Sequence, residues 1–260
     1  MRVISVINLK GGVAKTISSI NIAHILSTVH DKRVLIIDND KQGNTTKFFN
    51  MHDSEELSIA NIMTDRDINI ENVIAPTQYE ELDLIPANMN LLKANLDVIT
   101  DVGRPQQFIF KKALEQIKNQ YDYCIIDNPP DINISVINAL VASDDILIPI
   151  RVDKFSFDGM NELIGQIENA KEMNSKLCLR GCFVTQFAKN KVNIQGEEVL
   201  KSKEYPMFKI HIRRTVKIEE STFSNMPIVE YSKKSSAARD YIDLVQEYLD
   251  KLNKEKIING

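Results

Sequence analysis

Apolar residues along this chain fall into two kinds of segment that alternate from one end to the other. Short unbroken runs at residues 3–7, 34–37, 82–85, 123–126, 146–150 and 181–185 read as strands buried on both faces. Between them lie longer stretches with helical spacing, at 16–29, 57–63, 106–119, 134–141, 159–173, 195–203 and 237–252. The last has the plainest period: Tyr241, Leu244, Val245, Tyr248, Leu249 and Leu252 stand at i, i+3, i+4, i+7, i+8 and i+11, one stripe of a helix that packs on a neighbour. Strand and helix in turn predict an α/β fold, a doubly wound and mostly parallel sheet with helices on both faces. No internal repeat, low-complexity tract or Pro/Gly/Ser-rich linker interrupts the pattern, so residues 1–260 read as one domain.

The first strand and helix are joined by Lys10-Gly11-Gly12-Val13-Ala14-Lys15-Thr16. Two adjacent glycines let the backbone approach an anion, and the N–H groups at the start of the following helix present partial positive charge to it. Lys15 then offers a mobile cation for outer phosphates and Thr16 a hydroxyl for a metal ion. The common phosphate-loop spacing G-x-x-x-x-G-K-[ST] is not met, since Leu9 and Ala14 stand where its glycines would fall. An extra lysine, Lys10, precedes the glycine pair instead. Two apolar strands then end in acids, at Asp38-Asn39-Asp40 and at Asp127-Asn128-Pro129-Pro130. Carboxylates at strand ends beside such a loop suit a hard cation, and strand alternation puts Asp38 and Asp40 on one side with Asn39 opposite.

Composition narrows the classes. Hydrophobic residues are 43% and charged residues 26%, which excludes a disordered chain. Cys124, Cys178 and Cys182 form no C-x-x-C pair, so neither a disulfide framework nor a zinc ribbon is expected, and a reducing cytosolic setting fits. The N-terminal apolar run breaks at Asn8 and reads as a buried strand rather than a signal peptide, and no stretch reaches the length of a membrane span. Net charge is −4, yet residues 201–239 hold nine Lys/Arg against four acids, a local basic surplus.

With these motifs together, the chain resembles the ParA/MinD family of P-loop ATPases with a deviant lysine-bearing loop, and within it the ParA/Soj partition branch. The runs that carry the resemblance are Lys10 to Thr16, Val34 to Thr45 with Gln42-Gly43-Asn44, Leu82 to Asn88, Ile125 to Pro130 and Ile212 to Tyr231. It implies a P-loop NTPase fold, ATP and Mg²⁺ as cofactors, and nucleotide sandwiched in an ATP-dependent homodimer. Gly11, Gly12, Val13, Ala14, Lys15, Thr16 and Ile17 would cradle the phosphates, with Lys15 on the β- and γ-phosphates and Thr16 on Mg²⁺. Lys10 would reach the partner subunit's nucleotide, Asp40 would position the attacking water, and Asp38 and Asp127 would order the metal's shell. The base would lie near Gln186 and the Arg213-Arg214-Thr215 turn, where Pro-Arg-Asn or Pro-Glu-Asp is more usual. Other departures are Ala14 for glycine, which suits a residue of negative φ, Ile17 for Thr or Ser, Lys41 for proline and Asn128 for threonine.

The resemblance further implies nonspecific double-stranded DNA as a partner, through Arg213, Arg214, Lys217, Lys233 and Lys234, and a ParB-like centromere-binding stimulator. The chain begins at its first strand, so no N-terminal helix-turn-helix domain and no operator recognition are expected. Such a protein would be cytoplasmic and nucleoid-associated when ATP-bound. A MinD-like positioning ATPase is the first alternative. Its membrane tail would be basic, whereas Asp240, Asp243, Glu247 and Asp250 make this C-terminal helix acidic until Lys251, so no membrane partner is expected. A nitrogenase-type iron protein needs paired cysteines at a cluster, and those here fall in or beside strands. A nucleotide-dependent regulator or scaffold with little turnover is the remaining alternative, against which Lys10 and Asp40 both count.

Overall fold

In the computed structural model, which describes residues 1–153, 159–203 and 205–259, the apolar runs become a seven-stranded sheet. The strands are β1 (Arg2–Val6), β2 (Val34–Asp38), β3 (Ala75–Pro76), β4 (Leu82–Ile85), β5 (Tyr123–Asp127), β6 (Asp145–Arg151) and β7 (Cys178–Thr185). Their order is β3-β4-β2-β5-β1-β6-β7, parallel throughout except for β3. Each central strand is buried on both faces, which is why it reads as a continuous apolar run instead of an alternating one.

The helices are α1 (Lys15–Thr28), α2 (Asn44–Phe48), α3 (Ile59–Thr64), α4 (Asn90–Thr100), α5 (Ile109–Glu115), α6 (Ile134–Ala142), α7 (Met160–Met173), α8 (Lys191–Ser202), α9 (Val216–Phe223), α10 (Ile228–Tyr231) and α11 (Ser236–Asn259). On one face α1 and α11 pack together, burying Ile20, Ile25, Tyr241, Leu244, Val245 and Tyr248 against β1, β2 and β4. On the other, α3 to α6 cover β2 and β5, and α7 covers β6. At the lower edge Asp145, fully buried at the start of β6, accepts from Tyr248 at 2.6 Å and from Arg180 at 2.7 Å, which fastens α11 to the sheet. Among the described residues no helix is long and apolar enough to cross a membrane.

Three expectations shift. The helix expected at 106–119 shortens to α5, with turns on either side of it. The one expected from 195 begins at Lys191, because the Asn190 side chain caps it by accepting from Asn193 N. The helix that closes the chain starts at Ser236 and runs through Asn259 rather than ending at 252. Segments α2, α4, α9, α10 and β3 were not legible from spacing.

What the fold positions is a crevice. The crossover from β1 leads past β5 to β2, whereas that from β5 leads past β1 to β6. Connections leaving neighbouring strands in opposite directions open a space at their carboxyl ends, where ligands of open α/β sheets bind. The loop after β1 and the acids ending β2 and β5 all lie there.

Candidate functional site

The loop after β1 is tied down at its root and left open at its tip. Asn8 is buried, its Nδ2 donates to Pro149 O at 2.8 Å, and its Oδ1 accepts from Lys10 N at 2.9 Å. From β7, Thr185 Oγ1 donates to Val13 O at 3.0 Å and Gln186 Nε2 to Gly12 O at 2.8 Å. Gly12 turns the chain with φ 71°. Ala14, which precedes α1, has φ 66° and ψ 32°, so the negative φ expected of it is not adopted; this is left-handed backbone that an alanine resists. It caps α1 without a side-chain hydrogen bond, which leaves the first amides of the helix free for an anion. The buried Lys15 ammonium donates to Lys10 O at 3.0 Å, and burial pulls its pKa below the usual lysine range.

The acids divide into two kinds. Asp38 and Asp127 are register partners at the ends of β2 and β5, and both are buried. Asp38 accepts from Thr46 N at 2.8 Å and Thr46 Oγ1 at 2.7 Å; Asp127 accepts from Thr45 Oγ1 at 2.8 Å and Ser19 Oγ at 3.1 Å. Burial raises the Asp38 pKa to about 7, with repulsion from Asp127 adding to it, and burial raises Asp127 to about 6, partly offset by its hydroxyl donors. Asp40 instead stands half-buried at the crevice, its Oδ1 accepting from Gln42 N at 2.9 Å.

The loop after β1 and Asp40 line a cleft of about 720 Å³, a volume that suits a nucleoside triphosphate. Gly11, Gly12, Ala14, Lys15, Thr16 and Ile17 line it, as do Asp40, Gln186, Arg214 and Thr215. Val13, Lys10, Asp38, Asp127 and Arg213 do not line it. Val13 is buried under the loop, and Lys10 Nζ is ion-paired to Asp153 in the same subunit. Asp38 and Asp127 do not line the cleft: Asp38 is held by the buried Thr46, and Asp127 by the buried Thr45 and Ser19 and by Thr16, which does line it. Among the described residues no three or more His, Cys, Asp or Glu gather into a metal cage. The Thr16 hydroxyl at the cleft suits a Mg²⁺ that would take most of its ligands from phosphate and water.

Residues 1–179 match an "AAA domain" family model. The sporulation initiation inhibitor protein Soj of Bacillus subtilis (strain 168) is 34% identical over 250 residues, covering 95% of this chain and 97% of Soj. A solved structure of cobyrinic acid a,c-diamide synthase from Mycobacterium smegmatis with bound ATP analog and magnesium is 27% identical, with a TM-score of 0.81 over 95% of this chain and 93% of that one. A plasmid partition protein from Borrelia burgdorferi shares the fold at TM-score 0.77 and 24% identity, over 96% of this chain and 98% of that one. The chain belongs to the ParA/MinD family, in its ParA/Soj branch.

In this ParA-type chain two departures have local partners. Lys41 pairs with Asp131 at 3.6 Å, which joins the segment after β2 to the one after β5. Asn128 accepts from Asn39 Nδ2 at 2.9 Å and donates to Val6 O at 3.2 Å, across three strands. Of the residues expected at the base, Arg214 and Thr215 line the cleft, whereas the Arg213 guanidinium is paired with Asp240 on α11, Nη2 to Oδ1 at 2.6 Å, and does not line it. Gln186 lines the cleft while holding Gly12, so it latches the loop as well. Of the basic residues, Lys217 is exposed and pairs with Glu220 at 2.7 Å, and Lys233 and Lys234 are exposed between α10 and α11. Cys124 and Cys182 are buried thiols whose pKa burial raises, Cys182 to about 12. Thr45, Thr46, Ser19, Asp153 and Asp240 were missed by sequence reasoning. Apart from the contact of Thr46 with Asp38, eight residues away, they act through contacts distant along the chain, and nothing in local spacing marks them.

Proposed function

We propose that this protein is an ATP-dependent DNA-partition ATPase that dimerises around ATP, binds double-stranded DNA nonspecifically and hydrolyses the nucleotide slowly until a ParB-like partner stimulates it. The observation that carries the reading is the convergence on one cleft of open α1 amides, Lys15, Thr16 and Asp40, in a chain 34% identical to Soj. The amides and Lys15 hold the triphosphate, with Arg214, Thr215 and Ile17 toward the nucleoside. Thr16 would hold Mg²⁺, with Asp38 and Asp127 ordering its shell from behind, and the ion would supply positive charge against the phosphates. Asp40 orients the attacking water.

Lys10 acts on the nucleotide of the second subunit, adding charge where the transition state needs it. To do so it exchanges Asp153 for phosphate on dimerisation. DNA meets Arg214, Lys217, Lys233 and Lys234 on each subunit, so that dimerisation doubles the phosphate contacts. The working location is the cytoplasm, on the nucleoid while ATP is bound.

Sedimentation and mobility shift on arbitrary duplex DNA, with no nucleotide, ADP or ATP, test this. Dimer and shift are expected with ATP only, and Lys15→Ala should lose both together with ATP binding by calorimetry. ATP binding and dimerisation without turnover or DNA binding would favour a nucleotide-dependent scaffold.

A further inference from the structure

The helix α4 carries two apolar stripes, and the fold uses one. Leu91, Ala94 and Val98 are buried in the cluster that also holds Ile59, Met63 and Phe110. Leu92, Leu96 and Ile99 face outward at 48%, 61% and 53% exposure, and Met89 just before the helix is 53% exposed. Met89, Leu92, Leu96 and Ile99 follow the spacing of a single helix face, so they form a ridge rather than scattered surface residues. A contiguous apolar ridge on a soluble surface marks an interaction site.

The rim of this ridge is acidic. Asp53, Glu55 and Glu56 stand exposed in the segment before α3, which hydrogen bonds hold over the start of α4: Asn88 Nδ2 donates to Asp53 O at 3.1 Å and Asn90 Nδ2 to Ser54 O at 3.1 Å. Leu57 in that segment is 41% exposed, and Asp97 is exposed on α4 itself. Lys93 is the cation that α4 sets against them, while Arg66 and Arg104 beyond its end are paired with Asp101.

We propose that the outer face of α4 docks an amphipathic helix of a partner protein, with apolar side chains on the ridge and Lys or Arg facing Asp53, Glu55, Glu56 and Asp97. Charge complementarity selects this occupant. A second copy of the chain would set these acids against themselves, and an anionic bilayer would be repelled. The face is also joined to the cleft. Thr46 Oγ1 donates to Asp38 and accepts from Ala87 N at 2.8 Å, and Ala87 lies three residues before α4. A partner seated on α4 therefore bears on the segment that carries Asp38, Asp40 and α2, which would make the face a point of control over turnover. That last step rests on the ATPase reading; the docking does not.

The test titrates nucleotide-free protein with a synthetic helical peptide bearing leucine at i, i+3, i+4 and i+7 and lysine on its flanks, and with a twin carrying glutamate for lysine. Binding is read by fluorescence anisotropy and folding by circular dichroism. The lysine peptide should bind and its twin should not. Leu92→Ser with Leu96→Ser should weaken binding about tenfold, Glu55→Lys with Glu56→Lys should weaken it as well, and Val192→Ser with Val199→Ser on α8 should leave it unchanged. Equal binding of both peptides, or unchanged binding by the folded α4 variants, overturns the proposal. Self-association that the α4 variants abolish gives the face to a second copy and overturns it too. Failure of the ATPase reading is seen separately, as absent ATP binding by wild-type protein that still binds the lysine peptide.

Discussion

Ala14 holds a backbone conformation that its Cβ opposes, with φ 66° just before the helix that presents its amides to the cleft. Left-handed backbone costs an L-residue about 1–2 kcal/mol, of which glycine's greater freedom in the unfolded chain takes back roughly half. Ala14→Gly should therefore stabilise the protein by up to about 1 kcal/mol, read from the denaturant midpoint. A loss of stability would mean that the alanine methyl has packing worth more than the strain. At Asp38 the residue-scale consequence is a pH dependence. Its folded-state pKa of about 7 lies above the unfolded value near 3.9, because burial and Asp127 disfavour its charge. The folded protein thus holds a proton that the unfolded chain has released, and the stability this gives is full below about pH 4 and lost as pH rises through 7. Nucleotide-free protein should lose on the order of a few kcal/mol over that window, about 1.4 for each pKa unit. Asp38→Asn should flatten the curve, measured by denaturation from pH 5 to 8, and an equally steep curve in the variant would assign the effect elsewhere.

Among the elements, α2 is set by one close approach. Gly43 precedes it with φ 62°, and a Cβ there would stand 2.8 Å from Ala87 O and 3.0 Å from His52 Nδ1. Gly43→Ala should cost about 1–3 kcal/mol from strain and overpacking together. It should also loosen the Thr46 contact to Asp38, so thermal unfolding and ATP affinity are expected to fall together; unchanged affinity would uncouple α2 from the site. The six parallel strands were legible because doubly buried strands are unbroken apolar runs, and α1 and α11 because each has a clear helical pattern or flanking loop. The helix α4 was not, since apolar residues on two faces, Leu91 and Val98 inward and Leu92 and Ile99 outward, blur the period on which recognition depends. Short α2 and α10, of five and four residues, fall below the length at which any period shows.

For the whole molecule the deciding quantity is the separation of charge along a chain of net −4. Lys233 and Lys234 are exposed between α10 and α11 and belong to the basic surplus of residues 201–239. Charge reversal at both should weaken binding to any duplex, flatten the slope of log K against log salt by about 0.9 for each phosphate no longer neutralised, and leave unstimulated hydrolysis near normal. A salt titration of DNA binding in ATP measures it, and an unaltered slope would show that these lysines are only solvated surface. Arg213 is a poorer position for the same experiment, because its ion pair with Asp240 also holds the 213–215 turn to α11.

By itself the sequence determined the α/β alternation, the anion-binding loop at Lys10 to Thr16 and the acids that end two strands, because each is written within a few neighbouring residues. Only the tertiary structure decided the partners: Asp153 for Lys10 at a separation of 143 residues, Gly12 for Gln186 at 174 and Asp240 for Arg213 at 27. It also decided the sign of φ at Ala14 and the outward ridge of α4. Local pattern fixes which residues are buried in an element. Which distant charge a side chain meets, and which apolar face stays outside, depend on the crossovers that place one element against another.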